Sequence, residues 1–142
     1  MAVSENDIQR LRRMIAERDS TTYTDSDLSA AIALHPCVDA HGQAPYIWTA
    51  ASDALAPPTR AVNPVWVETY DINYTAADLW SEKAANVAHL YDFSADGGNY
   101  QRSQMLEQAQ RMVNYYLARR NPSTIKLAWA PQGVQDDSAD VD

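Results

Sequence analysis

Four stretches of this chain repeat apolar side chains at helical spacing, and each is bounded by a residue type that starts or stops a helix. The first, Glu5 to Arg18, sets Ile8, Leu11, Met14 and Ile15 on one stripe. Ser4 is its N-cap, with Asp7 three residues on in the capping-box position. The second, Asp25 to His35, repeats that relation with Thr24 and Asp27. Leu28, Ala31, Ile32 and His35 form its stripe, and Pro36 stops it. The third runs from Ala76 to Tyr91 behind a Thr75 cap, with Asp78 in its first turn. Trp80, Ala84, Val87 and Tyr91 recur along it, widened by Leu79 and Leu90. The fourth, Gln104 to Arg120, carries Met105, Ala109, Met112 and Tyr116 beside Leu106, Val113 and Leu117. Glu107 precedes Arg111 by one turn, Arg119 and Arg120 suit the negative helix end, and Pro122 closes it. This pattern predicts a mainly α fold, a small bundle of about four helices. Helices three and four pair antiparallel and bury Trp80, Val87, Ala109, Met112 and Tyr116.

The bundle spans residues 1–122 and contains a long ordered insertion, 36–74. A structureless loop of that length is unusual in a compact domain. Within it, Trp48 to Leu55 reads as a short helix and Val65 to Tyr74 as a short strand or extended arm. Ala56-Pro57-Pro58 and Asn63-Pro64 read as turns. Between helices three and four, Asp96-Gly97-Gly98 is a tight-turn signal that calls for positive φ. Residues 123–142 form a C-terminal arm and acidic tail. Ile125, Leu127 and Trp129 alternate there, and Asp136 to Asp142 holds four carboxylates without a cation.

Composition narrows the chemistry. Eleven basic against nineteen acidic residues give a net charge of −8, which disfavours DNA binding through phosphate neutralisation. The single Cys37 excludes an internal disulfide and a multi-cysteine zinc site. No apolar run is long enough to cross a membrane, and the polar, acidic start lacks a signal-peptide pattern. The default compartment is a reducing cytosol, or a particle assembled there. His35, Cys37, Asp39 and His41 alternate, so on an extended strand they could meet one metal ion. The competing reading, a helix end followed by a polar loop, is favoured because His35 continues the stripe of helix two. A nucleophilic Cys37–His pair lacks a placed base or oxyanion hole. Asp71, Asp92 and Asp96 lack the spacing of a calcium loop. Arg10, Arg12, Arg13 and Arg18 are interleaved with acids and read as a solvated face. Trp80, Tyr91, Tyr115 and Tyr116 read as core or subunit interface. Phosphate-binding, dinucleotide-binding and nucleophile-elbow motifs are absent. The chain is therefore read as a non-enzyme without a cofactor.

Four stretches carry a family resemblance. They are Ala76-Ala77-Asp78-Leu79-Trp80-Ser81-Glu82-Lys83-Ala84-Ala85, Tyr91-Asp92-Phe93-Ser94-Ala95-Asp96-Gly97-Gly98, and Arg102-Ser103-Gln104 with the closing Tyr115-Tyr116-Leu117-Ala118-Arg119-Arg120-Asn121-Pro122. Together they resemble tailed-bacteriophage head–tail connector proteins, also called adaptors or head-completion proteins. The resemblance covers about Asn73 to Pro122, and the 36–74 insertion has no part in it. It implies a virion protein assembled in the host cytoplasm as a homo-oligomeric, commonly twelve-fold, ring. Such a ring docks beneath the portal protein, presents a surface to a neck or tail-completion protein, and passes DNA without specific binding. It also points to the portal as the partner of the arm, through Ile125, Leu127 and Trp129. A period of two suits strand addition, with Trp129 as anchor. The alternative is a small helical interaction or regulatory module that binds one partner through the same arm. From the charge balance, the purified chain is expected to show no salt-sensitive affinity for duplex DNA in fluorescence anisotropy at physiological salt.

Overall fold

The computed structural model describes residues 3–49, 57–91 and 99–123. In chain order they form α1 (Glu5–Met14), α2 (Asp25–Ala33), β1 (Tyr46–Thr49), β2 (Thr59–Val62), α3 (Ile72–Tyr91) and α4 (Asn99–Leu117). The fold is mainly α, and the two strands pair antiparallel with Tyr46 opposite Val62 and Thr49 opposite Thr59.

Both N-terminal caps form as their sequences imply. The Asp7 N–H donates to Ser4 Oγ at 3.2 Å, and Ser4 Oγ donates to the Asp7 carboxylate at 2.6 Å. Thr24 and Asp27 close a complete capping box: each backbone N–H donates to the other's side chain, at 2.9 and 3.2 Å. The Thr24 hydroxyl and N–H hold the Asp27 carboxyl below its ordinary pKa.

Helix α1 stops at Met14, four residues before the expected Arg18. Ala16 takes φ 58, the left-handed conformation that ends a helix. The Glu17 N–H then reaches back to Arg12 O at 2.9 Å, and the Ala16 N–H to Arg13 O at 3.4 Å. Arg12 is not part of a solvated face: it is buried. Its guanidinium donates to Tyr23 O at 2.9 Å, to Asp25 Oδ1 at 2.6 Å, and to the Asp19 carbonyl. One planar fork thereby organises the α1–α2 connection.

The remaining helices close on the frayed end of α1. Met14 O accepts from Trp80 Nε1 and from the Tyr116 hydroxyl, both at 3.1 Å. Ile15 O accepts from Lys83 Nζ at 2.6 Å, and that ammonium also pairs with Glu17 at 2.7 Å. Carbonyls that a helix terminus leaves unpaired are satisfied here by α3 and α4. Asn73 Nδ2 donates to Arg119 O at 3.0 Å, so the start of α3 meets the end of α4 and the pair is antiparallel.

The core joins Leu11, Ile15, Leu28 and Ile32 to Ile72, Ala76 and Leu79 of α3. Ala109 and Tyr116 are buried as expected. Trp80, Val87 and Met112 are only partly buried, which corrects the expectation. Helix α3 begins at Ile72, four residues earlier than read, and its buried residues are 72, 75, 76, 77 and 79, so Trp80 sits at the border of that face, where its indole N–H finds Met14 O. Helix α4 likewise runs from Asn99 to Leu117, five residues earlier at its start and three at its end. The expected helix from Trp48 to Leu55 is overturned at Trp48 and Thr49, which lie in β1. Val65 to Tyr74 is not a strand: Val65 lies in a turn, Tyr70 forms a single bridge with Pro36, and α3 follows. The turn residues Asp96, Gly97 and Gly98 lie outside the described residues.

Ala16 carries a Cβ in a conformation that glycine adopts without cost. Ala16→Gly is expected to raise unfolding free energy by about 0.5–1 kcal/mol, read as a higher urea midpoint at unchanged slope.

Candidate partner-binding groove

Asp71 stands where three helix ends converge. It is buried, and its carboxylate is shared between two chain segments. Oδ1 accepts from the Tyr74 N–H at 3.0 Å, which makes Asp71 the N-cap of α3. Oδ2 accepts from the Asn121 N–H at 2.6 Å, just past α4. The Asp71 N–H donates to His35 O at 2.8 Å, just past α2. Thr75 is consequently not a cap. It is a fully buried helical residue whose hydroxyl donates to Asp71 O at 3.0 Å.

The segment after α2 runs between two others. The Cys37 N–H donates to Thr69 O, and the Val38 N–H donates on the other side to Pro122 O, both at 2.9 Å. Trp66 Nε1 donates to Cys37 O at 2.9 Å. Asp39 accepts at one oxygen from the His41 and Gln43 N–H groups, at 2.9 and 2.8 Å, and at the other from Val67 N–H at 2.9 Å. These backbone donors, Val67 first, hold its carboxyl below the ordinary range against the opposing effect of burial.

The four residues weighed as metal ligands are thus spent separately, in keeping with the favoured helix-end and loop reading. His35 Nε2 meets Asp78 at 2.7 Å, and its ring lies 4.4 Å from that of Tyr74. Cys37 is buried, and burial followed by the Asp71 charge pushes its thiol up, away from nucleophilic use. Asp39 serves a loop, and His41 is exposed. Among the described residues no three His, Cys, Asp or Glu side chains are grouped to hold a metal ion. Of the acidic trio, Asp71 is structural, and Asp92 and Asp96 lie outside the described residues.

The β1–β2 hairpin is clamped at its base. The Asn63 N–H donates to Pro45 O, and Asn63 Nδ2 donates to Ala44 O, both at 3.0 Å, while Asn63 Oδ1 accepts from Val65 N–H at 3.2 Å. Above that clamp the ribbon stands in solvent. Trp48 is 64% exposed, Ile47 43% and Val62 65%. On one face the Arg60 guanidinium lies 4.3 Å over the Tyr46 ring.

Between this ribbon, the end of α2 and the exit from α4 lies a groove of about 1050 Å³. Leu34, Ile47 and Trp48 give it apolar wall, and Arg60 and Arg120 give it positive charge. Its floor includes Asp71, already engaged. The groove is suited to an apolar segment with acidic flanks; among the described residues that line it, no nucleophile is paired with a base. The expected partner-binding residues Ile125, Leu127 and Trp129 lie outside the described residues. The groove itself was missed in sequence, although the aromatic and β-branched run Tyr46-Ile47-Trp48-Thr49 is a strand signal.

Comparison of the chain with protein-family models, with curated proteins and with solved structures finds no match.

Asp71→Ala removes the acceptor for two segments and is expected to cost about 3 kcal/mol in urea melts, with Asp71→Asn costing less because one amide oxygen remains. Asp39 has a depressed folded pKa, so its contribution is present above the unfolded value of about 3.9 and is lost as pH falls through the folded value. The stability gap between the native chain and Asp39→Asn is therefore expected to be widest near neutral pH and to narrow steadily in melts below pH about 4.

Proposed function

We propose that this chain is a structural connector of a tailed-phage particle, acting through protein–protein interfaces rather than chemistry. Its copies form a ring, commonly twelve-fold in the family it resembles. One side of that ring meets the portal protein and another a neck or tail-completion protein, and DNA passes through without specific binding. The protein is assembled in the host cytoplasm and resides at the head–tail junction. The family resemblance over Asn73 to Pro122 suggests this identity. The observation that carries an interface role is the hairpin: a firmly based ribbon holding Ile47, Trp48 and Val62 in solvent. Exposed apolar groups on a short two-stranded ribbon add nothing to its own stability, and patches of this kind mark contact sites. The arm residues Ile125, Leu127 and Trp129 are proposed as a further contact, with the portal.

Purified virions test the identity directly: the chain is expected there at about the copy number of the portal, and its absence defeats the proposal. Trp48→Glu tests the surface. Because Trp48 is largely exposed, melting is expected to shift by no more than about 0.5 kcal/mol, while assembly onto heads is lost. A variant that assembles normally excludes this face from the interface.

A further inference from the structure

The ribbon has two strands, so among the described residues each strand keeps one edge without a ladder partner. The register says which backbone groups lie there. Tyr46 stands opposite Val62, and the Asn63 N–H donates to Pro45 O at 3.0 Å. That bond makes Tyr46–Val62 and Trp48–Arg60 the non-hydrogen-bonded pairs of the antiparallel ladder, and Ile47–Ala61 and Thr49–Thr59 the bonded ones. The N–H and C=O groups of Tyr46 and Trp48 therefore turn away from β2, toward the free edge of β1.

The groove runs along that edge. Tyr46, Ile47 and Trp48 line it in succession, although successive residues of a strand project to opposite faces. A hollow on one face of a ribbon meets alternate residues; one that meets three in a row passes beside the strand. The two edges also differ in protection. Strand β2 carries Arg60, and Pro58 and Pro64 beyond its ends have no N–H to give a neighbouring strand. Strand β1 is uncharged, and the register turns the nitrogen of Pro45 toward β2.

Charge defines the occupant. Arg60 and Arg120 line the groove, and neither forms an ion pair with a described residue. The lining holds one carboxylate, Asp71, which already accepts from Tyr74 and Asn121. In a chain of net charge −8 this is a basic site. Pairing with the β1 edge of a second copy would set two such sites against each other, and like charges oppose that contact.

We propose that the groove takes an extended, acidic segment of a partner protein, added as a third strand to the edge of β1. Tyr46 and Trp48 supply N–H donors and C=O acceptors to its backbone. Ile47 and the Trp48 ring meet its apolar side chains, and Arg60 and Arg120 meet its carboxylates. Strand β1 is four residues long, about 14 Å, so a segment of about five residues spans it. This rests on the reading of the hairpin as a contact surface and names the chemistry of what it contacts.

Two designed peptides added to the full-length protein test the proposal. Both alternate valine and threonine; one ends in glutamates and the other in lysines. The acidic peptide is expected to bind at least about tenfold more tightly in fluorescence anisotropy at low salt, and Arg60→Glu with Arg120→Glu to reverse the order. At saturation, exchange of the Tyr46 and Trp48 amides is expected to slow at least about tenfold while α3 amides are unchanged. Trp48→Pro removes an N–H that β2 does not use, and is expected to weaken binding at least about tenfold, whereas Trp48→Phe keeps it within about threefold. Equal affinity for the two peptides, or no binding of either, overturns the proposal. So does slow exchange at Tyr46 and Trp48 in the free protein, which assigns the edge to a second copy at dimer mass and to the chain itself at monomer mass. If the peptides fail while Trp48→Glu still blocks assembly onto heads, the contact surface stands and strand addition falls.

Discussion

The Asp71 carboxylate is the constraint on which the arrangement of the chain depends. A buried carboxylate is costly unless its lone pairs are occupied, and here the two oxygens are occupied by N–H groups from distant parts of the chain, Tyr74 three residues on and Asn121 fifty residues on. Its own N–H goes to His35 O. The ends of α2 and α4 and the start of α3 are therefore held at one point. The bond to Asn121 also fixes the residues just past α4, which line the groove. Farther along α3, Met14 O and Ile15 O do the matching work by accepting from Trp80, Tyr116 and Lys83. Polar bonds of this kind specify orientation where apolar packing alone leaves helices free to slide.

What could be read from sequence follows how local each interaction is. Ser4 with Asp7 and Thr24 with Asp27 were legible because a cap is settled within four residues. The four helices and the antiparallel α3–α4 pair were legible from apolar spacing. The start of α3 was misread because Thr75 and Asp71 are both competent caps. The choice of Asp71 rests on Asn121, a partner far along the chain. Arg12 was misread for the same reason: one guanidinium on a charged helix looks solvated until Tyr23 O and Asp25 close around it. Of the groove, the strand-forming residues were visible in sequence. The wall was not, because it joins Leu34, the ribbon and Ser123 only through Asp71 and Asp39.

The cluster His35 to His41 shows how a pattern that suggests chemistry is resolved by backbone demand. Alternation would bring those side chains to one face only on a regular exposed strand. Instead the segment is held from both sides, by Thr69 and by Pro122. Asp39 instead accepts from three N–H groups, His41 and Gln43 of its own turn and Val67 of a neighbouring segment. Satisfying buried backbone donors takes precedence over assembling an optional site, because each donor left unpaired costs about 1–3 kcal/mol.

The division of apolar residues carries the functional argument furthest. Leu11, Ile15, Leu28 and Ile32 are fully enclosed, so the bundle meets its need for buried surface without the ribbon. The insertion nevertheless keeps Ile47, Trp48 and Val62 exposed on a ribbon held at its base by Asn63, and Val65 and Val67 exposed just beyond it. A chain under selection for solubility alone places polar residues on such a ribbon, as the flanking Thr49 and Thr59 illustrate. Local conflict between sequence and solvent is the expected mark of a surface whose proper environment is another polypeptide segment. The rigid base matters as much as the exposed face. A contact surface held in place before binding loses less conformational entropy on association, so more of its apolar area is expressed as affinity.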